Sequence, residues 1–356
     1  MKVNKAELSK KIDRVKSIVP KNSPMQALLG VLIKDGYLIA SNTEMTVKAK
    51  LEGTEGESFI IPSRAFDLIK NLPDGKIDIT EDRNNKITIS MEKIKNSYQS
   101  LPAVDFSFTA DHVADGGGAT LIDSKVMKEA IAHVLYAIPN KSTNNIMSSL
   151  YMQASGGNLN FVGLDGHVIA WVQVEFDGEF ELLIPRGAVE KLLSLEMTGD
   201  ISIEYDSHSA IFHSEEYEMH TRLVEGKYFA YDKFFKDCLV NTSVNRSDLL
   251  EAVVRAKLCT EELTPTRFDI EGTELNLSIK DKSSNYSETV SLQSPVEQKT
   301  VIGFNSRLVL ETLKAHTGKV IELGFDGSKQ PMIIKSEAMQ SIVLPVQIRN
   351  DKEVTE

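Results

Sequence analysis

Histidine, cysteine and carboxylate side chains are the residues of this chain that could carry out chemistry, but their spacing fits no known catalytic arrangement. Cys238 and Cys259 are the only cysteines, too few for a disulfide framework or a cysteine-ligated zinc site. His208, His213 and His220 fall in one predicted strand region, and we interpret them as surface histidines. The sequence contains no glycine-rich phosphate loop, Gly-x-Ser-x-Gly elbow or His-Glu-x-x-His motif. We therefore predict a binding or scaffold protein, not an enzyme, without a metal or a cofactor.

One helical signature occurs three times, at a spacing of about 120 residues. Its copies begin at Leu8, Met127 and Leu249. A second, shorter helical signature follows each copy, near residues 62, 185 and 305. This period is too long for a solenoid repeat, so each copy should be a whole domain with its own core. We predict three such domains, at residues 1–117, 118–236 and 237–356.

Each repeat has the same predicted order of elements. An amphipathic helix comes first, over residues 4–19, 123–138 and 245–258, with Asn4, Asp123 and Asn245 as N-cap residues. A hairpin follows, with turns predicted at 35–36, 156–157 and 271–272. Further strand, the short helix and a last hairpin complete the unit. The predicted fold class is α+β, with two β-sheets per domain and both helices packed on one face.

Positive charge is concentrated in the predicted helices. The formal net charge is −11, which by itself argues against a nucleic-acid partner. The six predicted helices (4–19, 62–73, 123–138, 185–196, 245–258 and 305–318) nevertheless contain 16 Lys and Arg against 10 Asp and Glu, a net of +6, which leaves −17 for the rest. These cations could simply be solvated helix faces. Their recurrence in three repeats favours a basic surface lined by helices, which would bind duplex DNA phosphates without reading sequence.

Five further segments carry a resemblance to a known family. They lie at 42–45 (NTEM), 101–106 (LPAVDF), 164–170 (LDGHVIA), 223–231 (LVEGKYFAY) and 342–346 (IVLPV). With these segments in this order on three repeats, the chain resembles the bacterial DNA polymerase III beta subunits, the processivity sliding clamps, over nearly all its length. The resemblance implies a head-to-tail homodimer that closes into a ring of six domains, with helices around duplex DNA and sheets outside.

The resemblance, together with the charge distribution, predicts which residues face DNA. They are Lys10, Lys11, Arg14, Lys21, Arg64, Lys125, Lys128, Arg186, Arg255, Lys257 and Arg307. Replacing the three cations of the first helix by glutamate is expected to leave the domain folded, because the apolar stripe of that helix is unchanged.

The resemblance also implies a pocket, between the second and third domains, for a short hydrophobic peptide of the replicative polymerase, the clamp loader and other partners. Its predicted residues are Leu164, Gly166, His167, Val168, Ile169, Phe229, Lys233, Phe234, Pro331, Met332, Ile342, Leu344, Pro345 and Val346. Two of these depart from the family: Val168 stands where a basic residue is usual, and Phe229 stands where proline is usual. Phe106, Phe108 and Leu258 are the predicted apolar anchors of the dimer contact.

Two alternatives remain open at this stage. One is a clamp-fold interaction scaffold that does not encircle DNA, and the other is an enzyme whose site leaves no recognisable motif. No stretch approaches the roughly 18 apolar residues that a membrane-spanning helix needs, so we expect a cytoplasmic protein, and the resemblance implies a bacterial one.

Overall fold

The computed structural model of the protein describes residues 1–107, 113, 117–259, 264–280 and 285–348. The chain divides into two compact units. Unit 1 comprises Met1–Lys128 and Gly187–Glu225, and unit 2 comprises Glu129–Arg186 and Gly226–Glu356. The second sequence repeat is therefore divided between the two units.

The described residues form six α-helices. They are α1 (Lys5–Val15), α2 (Phe66–Asn71), α3 (Ser124–Val134), α4 (Arg186–Ser194), α5 (Arg246–Leu258) and α6 (Ser306–Ala315). The three predicted N-caps are confirmed. Asn4 accepts hydrogen bonds from the Ala6 and Glu7 amides, Asp123 Oδ1 accepts from two amides of α3, and Asn245 accepts from the Ser247 amide. Each cap satisfies amide groups that would otherwise lack a partner.

Unit 1 contains two antiparallel sheets. The smaller has the strand order β1-β6-β7-β8, and the larger β5-β2-β3-β4-β16-β15-β14-β9. The strands are β1 (Lys2–Asn4), β2 (Gly30–Lys34), β3 (Tyr37–Ser41), β4 (Met45–Lys50), β5 (Ser58–Pro62), β6 (Lys76–Glu81), β7 (Lys86–Met91), β8 (Ile94–Gln99), β9 (Gly118–Asp123), β14 (Asp200–Tyr205), β15 (Ser209–His213) and β16 (Tyr217–Arg222). Pairing of β4 with β16 joins strands of the first and second repeats.

Unit 2 contains one ten-stranded sheet of order β13-β10-β11-β12-β22-β21-β20-β17-β19-β18. Its strands are β10 (Ser149–Ser155), β11 (Asn158–Leu164), β12 (Val168–Glu175), β13 (Phe180–Pro185), β17 (Val240–Asn245), β18 (Thr266–Lys280), β19 (Asn285–Phe304), β20 (Val320–Phe325), β21 (Met332–Ser336) and β22 (Met339–Val343). Pairing of β12 with β22 joins the second and third repeats. Helices α5 and α6 contribute Leu249, Val253, Val309 and Leu313 to the core of this unit.

Two predictions of local structure differ from the fold. The first helix ends at Val15 instead of residue 19. The hairpin turn predicted at 271–272 is wrong, since these residues lie inside the single strand β18. The pairing of β18 with β19 shifts register between Ile270 and Glu274, and Gly272 has φ +57°. The glycine that suggested a turn therefore belongs to a β-bulge. The other two turns, at Asp35-Gly36 and Gly156-Gly157, do connect paired strands.

Candidate functional site

An apolar row crosses five strands of unit 2. Leu164 pairs with Ile169, Ile169 with Ile342, Ile342 with Ile333, and Ile333 with Gly324. Residues directly opposite one another on paired strands project from the same face of a sheet. The row, defined by these five residues, therefore forms one continuous apolar band on that face.

Aromatic side chains anchor the segment 228–239, here called the strap, over this face. The Tyr228 ring stacks on Tyr151 with centroids 4.4 Å apart and an interplanar angle of 8°. Tyr231 and Phe235 each meet Trp171 edge to face, at 5.3 Å and 5.2 Å between centroids. Such edge-to-face and offset pairs each contribute about 0.5–1.5 kcal/mol beyond the area they bury. The aromatic contacts thus fix residues 228–235 of the strap on strands β10 and β12.

The second half of the strap reaches the far end of the row. A Cβ placed on Gly324 would lie 2.7 Å from the Cys238 sulfur, so the absence of a side chain at this position allows the strap to lie close to β20. The strap therefore runs across the strands of this face, from β10 to β20, and meets the row at Gly324.

Five large apolar side chains at this site are exposed. They are Phe229 (37%), Phe234 (57%) and Leu239 (85%) from the strap, and Leu344 (38%) and Val346 (37%) from the segment that follows β22. Exposed apolar groups of this kind, clustered beside a buried band, are typical of protein-interaction surfaces.

The turn between β11 and β12 places His167 beside Leu344. Asp165 Oδ1 accepts hydrogen bonds from the His167 amide at 2.9 Å and the Val168 amide at 2.8 Å, and Gly166 has φ +85°. The Leu344 amide donates to the His167 carbonyl at 2.9 Å. The structure thus joins two segments that lie far apart in the sequence.

Most of the predicted pocket residues lie at this site. Leu164, Ile169 and Ile342 belong to the row, Gly166 and His167 are exposed in the turn, Phe229, Lys233 and Phe234 are exposed in the strap, Leu344, Pro345 and Val346 follow β22, and Pro331 is half-buried before β21. Val168 and Met332 differ. Both pair with Val343, on the face opposite the row, and are 2% and 0% exposed. Their side chains belong to the core, so we expect no direct peptide contact from either.

Sequence reasoning missed Trp171. Its ring supports the strap through Tyr231 and Phe235, and its Nε1 donates to Asn160 Oδ1 at 2.9 Å. The signal was available, because Trp171 lies two residues after Ile169 and so projects from the same face of β12.

Glu196 binds two of the predicted DNA-facing cations. Lys10 Nζ lies 2.7 Å from Glu196 Oε2, and the Arg14 guanidinium donates to Oε1 of the same carboxylate. The hydrogen bond between Lys10 and Glu196 raises the pKa of Lys10 and lowers the pKa of Glu196. Part of the positive charge of α1 is therefore neutralised within the protein.

Lys11 is buried, at 7% exposure. Its ammonium donates to the Glu216 carboxylate and lies 4.6 Å from the centroid of the Tyr217 ring. Lys11 is therefore not a solvated cation of α1, and we now expect its replacement by glutamate to destabilise the domain, because the glutamate would be buried next to Glu216.

Two further predicted DNA-facing cations bind backbone carbonyls near helix ends. Lys128 Nζ donates to the Leu195 carbonyl at 2.6 Å and the Met197 carbonyl at 2.9 Å, and burial lowers the pKa of Lys128. Arg186 Nη1 donates to the Leu135 carbonyl at 2.9 Å, in the turn that follows α3. Cations in such positions satisfy carbonyl groups at helix C-termini and interact favourably with the helix dipole. Their recurrence has a structural cause that the sequence did not reveal.

The remaining predicted DNA-facing residues are exposed. Arg255 forms ion pairs with Glu288 at 2.6 Å and with Glu251 at 3.4 Å, and Arg64 donates to the Gln99 carbonyl. Four others have no ion pair within the described part of the chain: Lys21, Lys125, Lys257 and Arg307. These four present the most accessible positive charge.

The predicted dimer anchors have different environments. Phe106 is packed against Leu28, Leu32 and Ile60 in the core of unit 1, whereas Leu258 is 82% exposed at the last residue of α5. Phe108 lies outside the described residues. The role of these residues in a dimer stays a prediction, and Leu258 is the better placed of the two described.

His220 is buried in unit 1, and the expectation of a surface histidine is wrong at this position. Burial lowers the pKa of its imidazole. Among the described residues, no group of three or more His, Cys, Asp and Glu side chains could hold a metal ion. No helix in that part of the chain is long and apolar enough to cross a bilayer.

Comparison with solved structures identifies the fold as that of a sliding clamp. A putative DNA polymerase III beta subunit from Eubacterium rectale is 23% identical, with a TM-score of 0.90 and coverage of 98% of this chain and 99% of that one. A DnaN sliding clamp from Pseudomonas aeruginosa, solved with bound griselimycin, is 20% identical over the same shares of both chains, also with a TM-score of 0.90.

Sequence comparison agrees. The family model of the DNA polymerase III beta subunit central domain matches residues 121–229, and that of the C-terminal domain matches residues 236–347. The beta sliding clamp of Chlamydia muridarum is 22% identical over 98% of this chain and 99% of its own length. That of Staphylococcus epidermidis is 23% identical over 94% of this chain and 95% of its own length. The chain belongs to the DNA polymerase III beta subunit family, the bacterial sliding clamps.

Proposed function

We propose that this protein is a DNA polymerase processivity factor. It acts as a homodimeric ring of six domains, three from each chain, that encircles duplex DNA without sequence specificity. It is an accessory subunit in the bacterial cytoplasm, not a catalyst. The observation that carries this proposal is the family match of two successive domains, supported by relatives that align over nearly the whole chain.

The charge distribution supports a weak and mobile DNA contact. Accessible cations such as Lys125 and Arg307 can approach phosphates, while Lys10, Arg14 and Arg255 are paired with carboxylates. Phosphate contacts give affinity without base readout. A topological link does not need tight binding, and a small number of contacts leaves the ring free to slide.

The apolar row and the strap support a peptide site for the polymerase, the clamp loader and other partners. A short peptide that buries one or two large side chains against Leu344, Phe229 and Phe234 would cover the exposed apolar surface described above. Related clamps from Pseudomonas aeruginosa and Bartonella birtlesii have been solved with griselimycin bound, which supports a ligand-binding role in this family.

The proposal is tested by retention on circular DNA. The protein is loaded onto nicked circular plasmid with a bacterial clamp loader and ATP, and DNA-bound protein is separated by gel filtration at high salt. We expect retention on the circle and release after the plasmid is cut once, because a ring slides off a free end. Absence of retention on the circle, or retention that survives cutting, would contradict encirclement.

A scaffold that has the clamp fold but does not encircle DNA is the second candidate. The pairing of helix cations with Glu196 and Glu288 favours it, since this pairing lowers the positive charge available to DNA. Peptide binding and retention on circular DNA together distinguish the two candidate functions. A scaffold would bind the partner peptide but would elute free of circular DNA.

A further inference from the structure

A buried chain of four polar side chains lies behind the apolar row in unit 2. The Tyr136 hydroxyl is 3.1 Å from Ser341 Oγ, His316 Nε2 is 3.0 Å from the same oxygen, and His316 Nδ1 is 2.7 Å from Ser336 Oγ. Ser341 and His316 are almost completely buried. This chain, called the polar chain below, lies outside the predicted peptide site and the basic helices.

The polar chain connects the helices of unit 2 to the strand next to the peptide site. Tyr136 belongs to the turn after α3, His316 follows α6, Ser336 ends β21, and Ser341 lies in β22. Ser341 directly precedes Ile342 of the row and pairs with Ala170 of β12. The hydrogen bonds therefore hold, from behind, the strand that leads to Leu344.

The protonation states of the polar chain determine which of its groups donate and which accept hydrogen bonds. Burial, with His133 and Arg246 nearby, lowers the pKa of His316 to about 3, so the ring is neutral at physiological pH. A neutral imidazole has one donor and one acceptor nitrogen, which orients the Ser336 and Ser341 hydroxyls. Burial raises the pKa of Tyr136 to about 12, so its hydroxyl keeps its proton. Removal of one member leaves a buried polar group without its partner.

A second contact ties the same elements together. His133 Nδ1, on α3, lies 2.5 Å from the Ala315 carbonyl at the end of α6. The end of α6 is thus held from α3 on one side, while His316 reaches β21 and β22 on the other.

We propose that the polar chain is a positioning device for the peptide site, in which His316 and Tyr136 fix β22 so that Leu344 is presented in its binding position. This inference rests on the proposed peptide-binding function. The residues of the polar chain need not touch the peptide, because they act through the backbone of β22.

The test compares variants that each lose one hydroxyl group from unit 2. Tyr136→Phe and Ser341→Ala each remove one hydroxyl of the polar chain. Ser306→Ala is the control, since Ser306 is also buried in unit 2 and its hydroxyl is hydrogen-bonded to that of Thr266 and not to a member of the polar chain. Affinity for a fluorescent peptide with a Gln-x-x-Leu-x-Phe core and stability to urea are measured for all three.

We expect all three variants to lose some stability, but only Tyr136→Phe and Ser341→Ala to bind the peptide on the order of fivefold more weakly, the equivalent of one net hydrogen bond. The double variant should bind no more than slightly worse than either single variant, because the two hydroxyls act together. Peptide affinities that match that of Ser306→Ala would overturn the proposal.

Amide hydrogen exchange provides a readout that needs no peptide. Ser341→Ala should accelerate exchange at the Leu344 amide, which donates to the His167 carbonyl at 2.9 Å, while Ser306→Ala should leave it unchanged. If the unmodified protein binds no peptide, the proposed function of the site is wrong, yet the exchange experiment still decides the positioning role. Unchanged exchange at Leu344 in Ser341→Ala would refute that role.

Discussion

Glu196→Gln should strengthen the binding of this protein to duplex DNA. The carboxylate binds Lys10 through an ion pair of 2.7 Å and also accepts from Arg14. The neutral amide has nearly the same shape but cannot hold two cations, so both become available to phosphates. Because all three side chains are partly exposed, the fold should change little.

The size of the effect follows from counterion release. Each new phosphate contact steepens the slope of log K against log salt by about 0.9, so release of two cations should steepen it by up to about 1.8. The assay is fluorescence anisotropy with a short labelled duplex over a series of salt concentrations. Asp67→Asn is the matched control, since Asp67 is exposed on α2 and this substitution changes the net charge by the same amount as Glu196→Gln. Equal slopes for the two variants would refute the reasoning.

Four further outcomes are expected. Leu344→Ala should cost about 1–3 kcal/mol of peptide binding, seen as a weaker response of Trp171 fluorescence, and equal affinities would exclude Leu344 from the site. Lys11→Glu should lower the unfolding free energy by about 3 kcal/mol or more, because it buries an uncompensated carboxylate, while Lys11→Met costs much less, and equal urea midpoints would contradict this reasoning. Leu258→Lys should yield a folded monomer by sedimentation, and a dimer that persists in this variant would exclude Leu258 from the dimer contact. Burial opposes ionisation of Glu218, but hydrogen bonds from His213 and Lys48 lower its pKa to about 2 from a usual 4.5; its stabilising contribution should be present above pH 4.5 and be lost as the pH falls towards 2, so Glu218→Gln should flatten the acid side of the stability profile.

Local features were predictable because they depend on near neighbours in sequence. Asn4, Asp123 and Asn245 act as N-caps through their own side chains and the next two or three amides. The prediction of a turn at 271–272 was wrong because the structure there depends on residues that are distant in sequence. A glycine with positive φ fits a hairpin and a bulge equally well, and the long partner strand β19 decides between them.

The site was predictable in part. The structure brings together the segments of Ile169, Ile342 and Leu344, which only the family resemblance had linked, since no local pattern joins strands so far apart in sequence. Their role in peptide binding stays a prediction. Val168 illustrates the limit. Its neighbour Ile169 lies on the face of the apolar row, but because side chains alternate along β12, the side chain of Val168 lies in the core. Likewise, the resemblance and the charge distribution placed Arg186 among the DNA-facing residues, whereas its guanidinium donates to the Leu135 carbonyl in the turn after α3.

The sharing of sheets between repeats has a consequence for any attempt to divide this protein. A cut after residue 117 would separate β4 from β16, and a cut after residue 236 would separate β12 from β22. Each fragment would then expose the edge of a strand that normally lies inside a sheet, a ready template for aggregation. The sequence repeat of about 120 residues therefore cannot be cut out of the protein without breaking a sheet. Isolated repeats should be less soluble than the intact chain.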